Sequence, residues 1–355
     1  MSNRGSASFV IGSLVLIAAC SSSGNTSSTG SGGSGPGGVT STTGASMTTG
    51  STGTTSSQTG TTTGAATASS TASTGSGCPG NTSGCTWTPT QQDEAWKLTS
   101  IWENDTTVLQ YAYCENIQDG RGYTSGRAGF CTGCGDAVQV VQCYDQANTG
   151  SSNLMKKYAN AMANLSGGNT GPVDAIGNYC ADWGTSASNA ATSAAFNTCQ
   201  DQLTMTLYQV PGCMDAHGWG IQTPLFLAEL YDAEINHGEP DVSNMLTKAG
   251  QNANIPKSTT PLSQADESKL LHAFLTVRVG ILAADPTWAQ AVDRVAVYEK
   301  ERLAGNFDLS QPVTTDAHAS TYWPSMNLMS SGYSVCTLTP NACAIQVTGD
   351  PNCTM

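Results

Sequence analysis

Ahead of Asp93 the chain carries no acidic side chain, a single basic one, Arg4, and no aromatic between Phe9 and Trp87. From Ser21 to Gly77 it is almost wholly Ser, Thr and Gly. Such a stretch buries too little apolar surface to offset its ordering entropy, so it reads as a flexible tether and excludes a folded N-terminal domain. Histidine is scarce as well: the four residues 217, 237, 272 and 318 are scattered and adjoin no nucleophile motif, which leaves a Ser-His-Asp or Cys-His site without support. Basic residues are few, 13 Lys and Arg against 26 Asp and Glu, for a net charge of −13. That balance excludes the basic footprint that nucleic acid requires and suits a cationic partner.

What the N-terminus does contain is an export signal. Arg4 supplies a positive start, and FVIGSLVLIAA is an apolar run too short to span a bilayer comfortably. It closes on Ile17-Ala18-Ala19-Cys20, which resembles a bacterial lipobox. Residues 1–19 then form a lipoprotein signal peptide, Cys20 is the lipidated first residue, residues 20–77 are the tether, and 78–355 are the folded part. The expected address is the outer membrane or cell surface by lipid anchor, or the extracellular space after release. An ordinary cleaved signal with a chance cysteine is the plainer alternative. Apart from Cys20, cysteines stand at 78, 85, 114, 131, 134, 143, 180, 199, 213, 336, 343 and 353. An even number in an exported chain reads as disulfides of undetermined pairing. Cys131-x-x-Cys134 invites a metal or redox reading, but no second pair or spaced histidines complete a zinc site, so no metal is expected.

Helical signals dominate the folded part. Thr90-Gln91-Gln92-Asp93 has the form of a capping box, and Ala95, Leu98, Ile101 and Trp102 follow at helical spacing to an end near Glu103-Asn104-Asp105. A second periodic stretch runs from Val108 to Glu115. Asp136 opens a helix with Val140, Val141 and Tyr144 on one side, and another is expected around Leu154–Leu165. Thr223-Pro224 caps a helix that stops at Gly238. One begins near Asp266 with Leu271, Phe274, Leu275, Ile281 and Leu282 as its apolar face, and a last one covers about 287–303. Between the first and third stretches lies QDGRGYTSGRAGF (118–130), whose four glycines imply a shaped loop. It matches neither a Walker loop nor a dinucleotide fingerprint.

Carboxylates are the remaining source of chemistry. Glu103, at the negative end of a helix dipole and beside Trp102, has an environment that disfavours ionisation, whereas Asp119 sits among glycine amides and beside Arg121. Two carboxyls in opposed environments are what glycosidic hydrolysis uses, one as acid and one as base. Among 26 acidic residues, that spacing does not by itself single out the pair. The segment 98–144, LTSIWENDTTVLQYAYCENIQDGRGYTSGRAGFCTGCGDAVQVVQCY, resembles the N-terminal signature of glycoside hydrolase family 46 chitosanases. The likeness rests on Glu103-Asn104, on Asp119-Gly120-Arg121-Gly122-Tyr123-Thr124-Ser125-Gly126, and on Gly129 to Asp136. It continues in Tyr231-Asp232-Ala233 with His237-Gly238 and in Gly305-Asn306-Phe307-Asp308-Leu309.

The resemblance implies a mainly α (α+β), two-lobed, lysozyme-like fold with a small β element and a catalytic cleft between the lobes. It implies endo-hydrolysis of β-1,4-linked glucosamine polymer with inversion, no cofactor, and a chain that acts as a monomer. Glu103 matches the acid, Asp119 the base, Thr124 the hydroxyl that holds the attacking water, and Asp136 a contact to the substrate ammonium. Asp136 is equally suited to cap a helix. Arg121 and Tyr123 are placed with the substrate, Arg121 with ordering of the loop as an equal alternative. Arg278 falls on an apolar face, where a guanidinium is costly unless paired, and Asp232 is its natural partner. The resemblance adds Arg294 as a second arginine of that network. Residues 145–222 and a Cys-rich extension from about 324 depart from the family pattern. A glycan-binding lipoprotein without catalysis, or a hydrolase of peptidoglycan, are the other readings. Palmitate labelling in a bacterial host is expected to mark the protein and to be lost in Cys20→Ala; labelling of neither would leave the ordinary cleaved signal.

Overall fold

The computed structural model describes residues 87–165, 167–286, 288–329, 333–341 and 345–353. The signal peptide, Cys20, the tether, Cys78, Cys85 and Cys343 lie outside them. Helix α1 spans Pro89–Asn104, and its cap is Thr88 rather than Thr90. The Thr88 hydroxyl accepts from the Gln91 amide while the Gln91 side chain accepts from the Thr88 amide, and Pro89 takes the first helical position, where a missing N–H is harmless. Asp105 ends the helix in a left-handed conformation at φ 52°.

The periodic stretch after α1 is not helical. Residues 108–113 form turns that lead into a three-stranded antiparallel sheet, β1 (Cys114–Glu115), β2 (Thr124–Ser125) and β3 (Phe130–Cys131), with Thr124 opposite both Glu115 and Cys131. Tyr111 there pairs through its hydroxyl with Asp201, a partner 90 residues away that no local pattern predicts. After the sheet come α2 (Ala137–Ala147), α3 (Ala159–Met162), α4 (Gly171–Asp174), α5 (Tyr179–Ser188) and α6 (Ser193–Thr204). The helix expected over 154–165 is reduced to a 3-10 turn, Lys156–Tyr158, and the single turn of α3, although Tyr158 and Met162 are buried as their register implies. A π-helical segment, Met205–Gln209, joins α6 to α7 (Val210–Trp219).

The remaining helices are α8 (Pro224–Asn236), α9 (Asp241–Ala253), α10 (Gln264–Ala284), α11 (Val292–Ala304) and the short α12 (Ala319–Tyr322). Helix α8 is buried along nearly its whole length, from Leu225 to Asn236. Its neighbours α1, α7, α9 and α11 enclose it. Helix α10 starts at a Ser263 cap, slightly ahead of Asp266, and Ile281 is exposed rather than on the apolar face. A second antiparallel sheet joins β4 (Val313–Thr314) to β5 (Cys336–Pro340) and β6 (Ile345–Gly349).

Two apolar cores result. One gathers Phe130, Val140, Val141, Tyr144, Tyr158, Tyr179, Trp183 and Phe196. The other gathers α1 with the helices from α7 onward, and takes in Cys336, Leu338, Ile345 and Cys353 of the C-terminal extension. Disulfides Cys114–Cys180 and Cys143–Cys199 tie the first core across 66 and 56 residues, and Cys336–Cys353 closes the extension. Gly122 holds φ +85°, and a Cβ there would sit 2.3 Å from the Thr132 hydroxyl, whose Oγ1 accepts from the Tyr123 amide. Gly122→Ala is expected to lower stability by roughly 1–3 kcal/mol, measured by urea denaturation, because the site combines a left-handed backbone with a steric clash.

Candidate active site

The interior of the larger core is crossed by a chain of charges. Asp232, fully buried on α8, receives Arg278 from α10 at 2.8 Å and Arg294 from α11 at 2.7 and 3.0 Å. Arg278 also donates to Glu229 at 2.9 Å, to the Asn236 side chain at 3.3 Å and to His237 Nε2 at 3.4 Å. Arg294 donates through Nη2 to Glu103 Oε1 at 2.8 Å. The path Arg278–Asp232–Arg294–Glu103 thus links three helices of the core to the last turn of α1. Burial alone would raise the Asp232 pKa, yet Arg294 and Arg278 hold it below the usual carboxylate range.

The other acids respond oppositely. Burial raises the Glu103 pKa, Arg294 offsets part of that rise, and the neighbouring Asp232 charge adds to it. Glu229 is pushed up to about 8, again chiefly by burial, with the Asp232 charge opposing Arg278. His237 is driven down to about 3 by burial and by the two arginines, which leaves a neutral ring able to accept from Arg278. Of the three acids that meet the two guanidiniums, Asp232 is thus held toward its ionised form, whereas Glu103 and Glu229 are pushed toward their protonated forms.

The glycine-rich loop carries the second carboxylate. Asp119 Oδ1 accepts from the Arg121 amide at 3.0 Å, and its Oδ2 accepts from Arg121 Nε at 2.6 Å. Its side chain is only 5% exposed. Thr124, on β2, is buried and its hydroxyl oxygen has no hydrogen-bond partner among the described residues. Tyr123 stacks on Tyr179 and donates to Asp174 at 2.8 Å. Asp136 caps α2: its Oδ1 accepts from the amides of Cys131 at 2.8 Å and Ala137 at 2.7 Å. Burial pushes its pKa up to about 6 against those two amides. Cys131 and Cys134 are joined in a disulfide, which removes their sulfurs as metal ligands and leaves Asp136 to its backbone role.

The model of glycosyl hydrolase family 46 matches residues 97–313, which contain every one of these groups. The chain belongs to this family. It is 33% identical over 229 residues to a chitosanase of Bacillus subtilis strain 168, covering 63% of this chain and 80% of that protein. A chitosanase of Streptomyces sp. strain N174 is 32% identical over 240 residues, 66% of this chain and 82% of its own. Among solved structures, a mutant chitosanase from Bacillus subtilis MY002 complexed with six GlcN units superposes with TM-score 0.56 at 30% identity, over 65% of this chain and 96% of that one. A Gynuella sunshinyii family 46 chitosanase in complex with chitotetraose gives 0.56 at 29% identity, over 65% and 98%.

Within this family 46 chain, the structure brings Glu103, Asp232, Arg278 and Arg294 into one connected group. Asp119 and Arg121 pair on the loop, and Thr124, Tyr123 and Asp136 flank it. Among the described residues no hydrogen bond or ion pair joins Glu103 to Asp119. Sequence reasoning missed Glu229 and Asn236, which sit one turn on either side of Asp232 on the same face of α8; that spacing was the available signal. It also missed Arg127, buried over the Trp96 ring at 3.9 Å and ion-paired with Asp201.

The C-terminal extension, which lies beyond the matched residues, packs against the end of α1. Tyr333 meets Trp102 edge-on at 5.0 Å, and its charged neighbours include Glu103 and Arg294. Asp105 accepts from the Ser334 amide at 2.7 Å and from the Asn352 side chain at 3.1 Å, and the Thr106 hydroxyl donates to the Asn352 carbonyl at 2.9 Å. The extension thus braces the helix end that bears Glu103. Asp232→Asn should cost about 3–5 kcal/mol in urea denaturation, since it leaves two buried guanidiniums without their shared counter-ion.

Proposed function

We propose that this family 46 hydrolase is an endo-acting chitosanase that cleaves β-1,4 bonds between glucosamine units with inversion. The observation that carries the reading is the state of Glu103: a carboxyl at a helix end, held toward its protonated form by burial, and fixed in position by Arg294. A general acid must be protonated and aimed at the leaving oxygen, and those two properties coexist here. Asp119 serves as the base. Its salt link to Arg121 orients the carboxylate, and the unpartnered Thr124 hydroxyl is suited to hold the water that Asp119 deprotonates. Inversion calls for carboxyls about 6.5–9.5 Å apart, with that water between base and sugar.

In the reaction Glu103 gives its proton to the glycosidic oxygen as the bond to C1 breaks. Water attacks C1 from the opposite face while Asp119 takes its proton, so the β-bond yields an α-anomer. Arg121 positions Asp119, and Tyr123 and Asp136 border the sugar site. The acidic balance of the chain favours a polycationic substrate. The relatives named above are chitosanases, and two solved relatives hold glucosamine oligosaccharides, which supports the same substrate class here. We place the enzyme outside the cell, exported by residues 1–19 and held to a membrane through Cys20 and its tether.

Chitosan viscosity and reducing ends, followed together, test this. A rapid viscosity fall with few new ends is expected for the native enzyme, and Glu103→Gln and Asp119→Asn should each lose about 10²–10⁴-fold in kcat. Proton NMR of fresh products should show the α-anomer first. Tight chitosan binding without turnover would instead select a glycan-binding protein, and lysis of cell walls without chitosan cleavage a peptidoglycan hydrolase. Because the Glu103 pKa is raised, loss of activity with rising pH should begin above the ordinary glutamate value of about 4.3, as the acid deprotonates.

A further inference from the structure

A second group of acids lies apart from Glu103 and Asp119. Asp215 of α7, Glu234 of the last turn of α8, and Glu239 in the turn before α9 each offer a carboxylate oxygen within 4.8 Å of the other two. Glu234 is 1% exposed, and among the described residues neither of its oxygens has a hydrogen-bond partner. Asp215 is 7% exposed; its Oδ1 accepts from the Ser243 hydroxyl of α9 at 3.1 Å, and its Oδ2 has no donor among the described residues. None of the three forms an ion pair with a lysine or arginine among the described residues; Lys257 acts on Asp215 and Glu239 only as a nearby charge. A buried carboxylate with both oxygens unsatisfied is costly. Asp215 and Glu239 also meet in a side-chain hydrogen bond, a contact that two carboxylates make only with a shared proton and that a cation between them would replace.

We propose that Asp215, Glu234 and Glu239 bind one hard divalent cation, calcium. The donors are all oxygen, which suits calcium, magnesium or manganese rather than zinc or copper. Separations of at most 4.8 Å fit within the roughly 5 Å diameter of a calcium coordination sphere. Calcium accepts several carboxylates in flexible geometry, whereas magnesium is usually held by one or two and keeps its waters. Glu239 is exposed, so the site opens to solvent on one side and water completes the coordination. The cation clamps α7 to α8 and to the turn into α9. Since Glu234 stands two residues after Asp232, the clamp steadies the helix that anchors the arginine network. The three ligands follow no spaced sequence motif, which is why the linear sequence suggested no metal. The inference does not depend on the substrate of the enzyme.

The test uses the purified full chain, stripped with EDTA and exchanged into chelator-free buffer near pH 7.5 at constant ionic strength. Calcium is added up to 10 mM while thermal unfolding and titration heat are followed. Extracellular calcium modules bind with dissociation constants of about 10⁻⁴–10⁻³ M, so 10 mM should shift the folding equilibrium by roughly 10- to 100-fold and raise Tm. Glu239→Gln, at an exposed position, should weaken calcium binding by at least about tenfold, and Glu234→Gln should do the same. No change in Tm and no heat with calcium, magnesium or manganese would overturn the site. A calcium response undiminished in both variants would overturn it too, by assigning the effect to the acidic surface at large. A response to magnesium without one to calcium would overturn the choice of ion.

Discussion

Asp232 is shared by two guanidiniums that water does not reach, and the arrangement of the larger core follows from that fact. Arg278 and Arg294 enter from different helices and are both fully buried. An unpaired charge there would cost about 3–5 kcal/mol, a large share of the roughly 5–15 kcal/mol by which a domain is stable, so the packing of α8, α10 and α11 is held to the register that places all three side chains together. Glu229, Asn236 and neutral His237 satisfy further donors of Arg278 from the same helix face. The network is a constraint on packing before it is anything else.

Its reach to the proposed chemistry runs through one further bond. Arg294 spends its Nη2 on both Asp232 and Glu103, so the acid is oriented by a group that is itself immobilised. If Arg294 paired with Glu103 alone, the carboxyl would be drawn toward its ionised form; the intervening Asp232 charge, together with burial, moves it the other way. The same groups therefore fix where Glu103 points and favour the proton that the proposed mechanism has it donate. On the outer side Trp102, Tyr333 and the Asp105 bonds hold the end of α1 against the C-terminal extension. Departure from the family in this region adds bracing to an existing helix end.

The loop of Asp119 is built on a different principle. Here backbone turns, a left-handed Gly122 and short strands hold the side chains in place, with Arg121 as a local partner. Glu103 in a rigid charged core and Asp119 on a glycine-shaped loop, the proposed acid and base, follow two routes to fixed geometry. The first resists any change of helix packing, whereas the second depends on the tight contacts that exclude a Cβ.

Much of this was legible in the linear chain. The helices from α8 onward announce themselves by a Thr-Pro start, glycine stops and apolar periodicity, because those signals are local. Arg278 on an apolar face demanded a buried acid, and Asp232 was readable as that acid. The motif containing Asp119 and Thr124 was likewise visible. Other features arose only from contacts distant in sequence. The stretch 108–115 has helical periodicity but becomes a turn and an edge strand, since Tyr111 and Cys114 are claimed by Asp201 and Cys180. Thr88 displaced Thr90 as cap because Pro89 fits the first helical turn. The link from Arg294 to Glu103, the bracing by Tyr333 and the meeting of Asp215, Glu234 and Glu239 depend on how whole helices pack. Sequence determined which residues must be buried, paired or turned; tertiary structure decided which partners they found, because pairing energy depends on distance in space and local pattern carries no record of it.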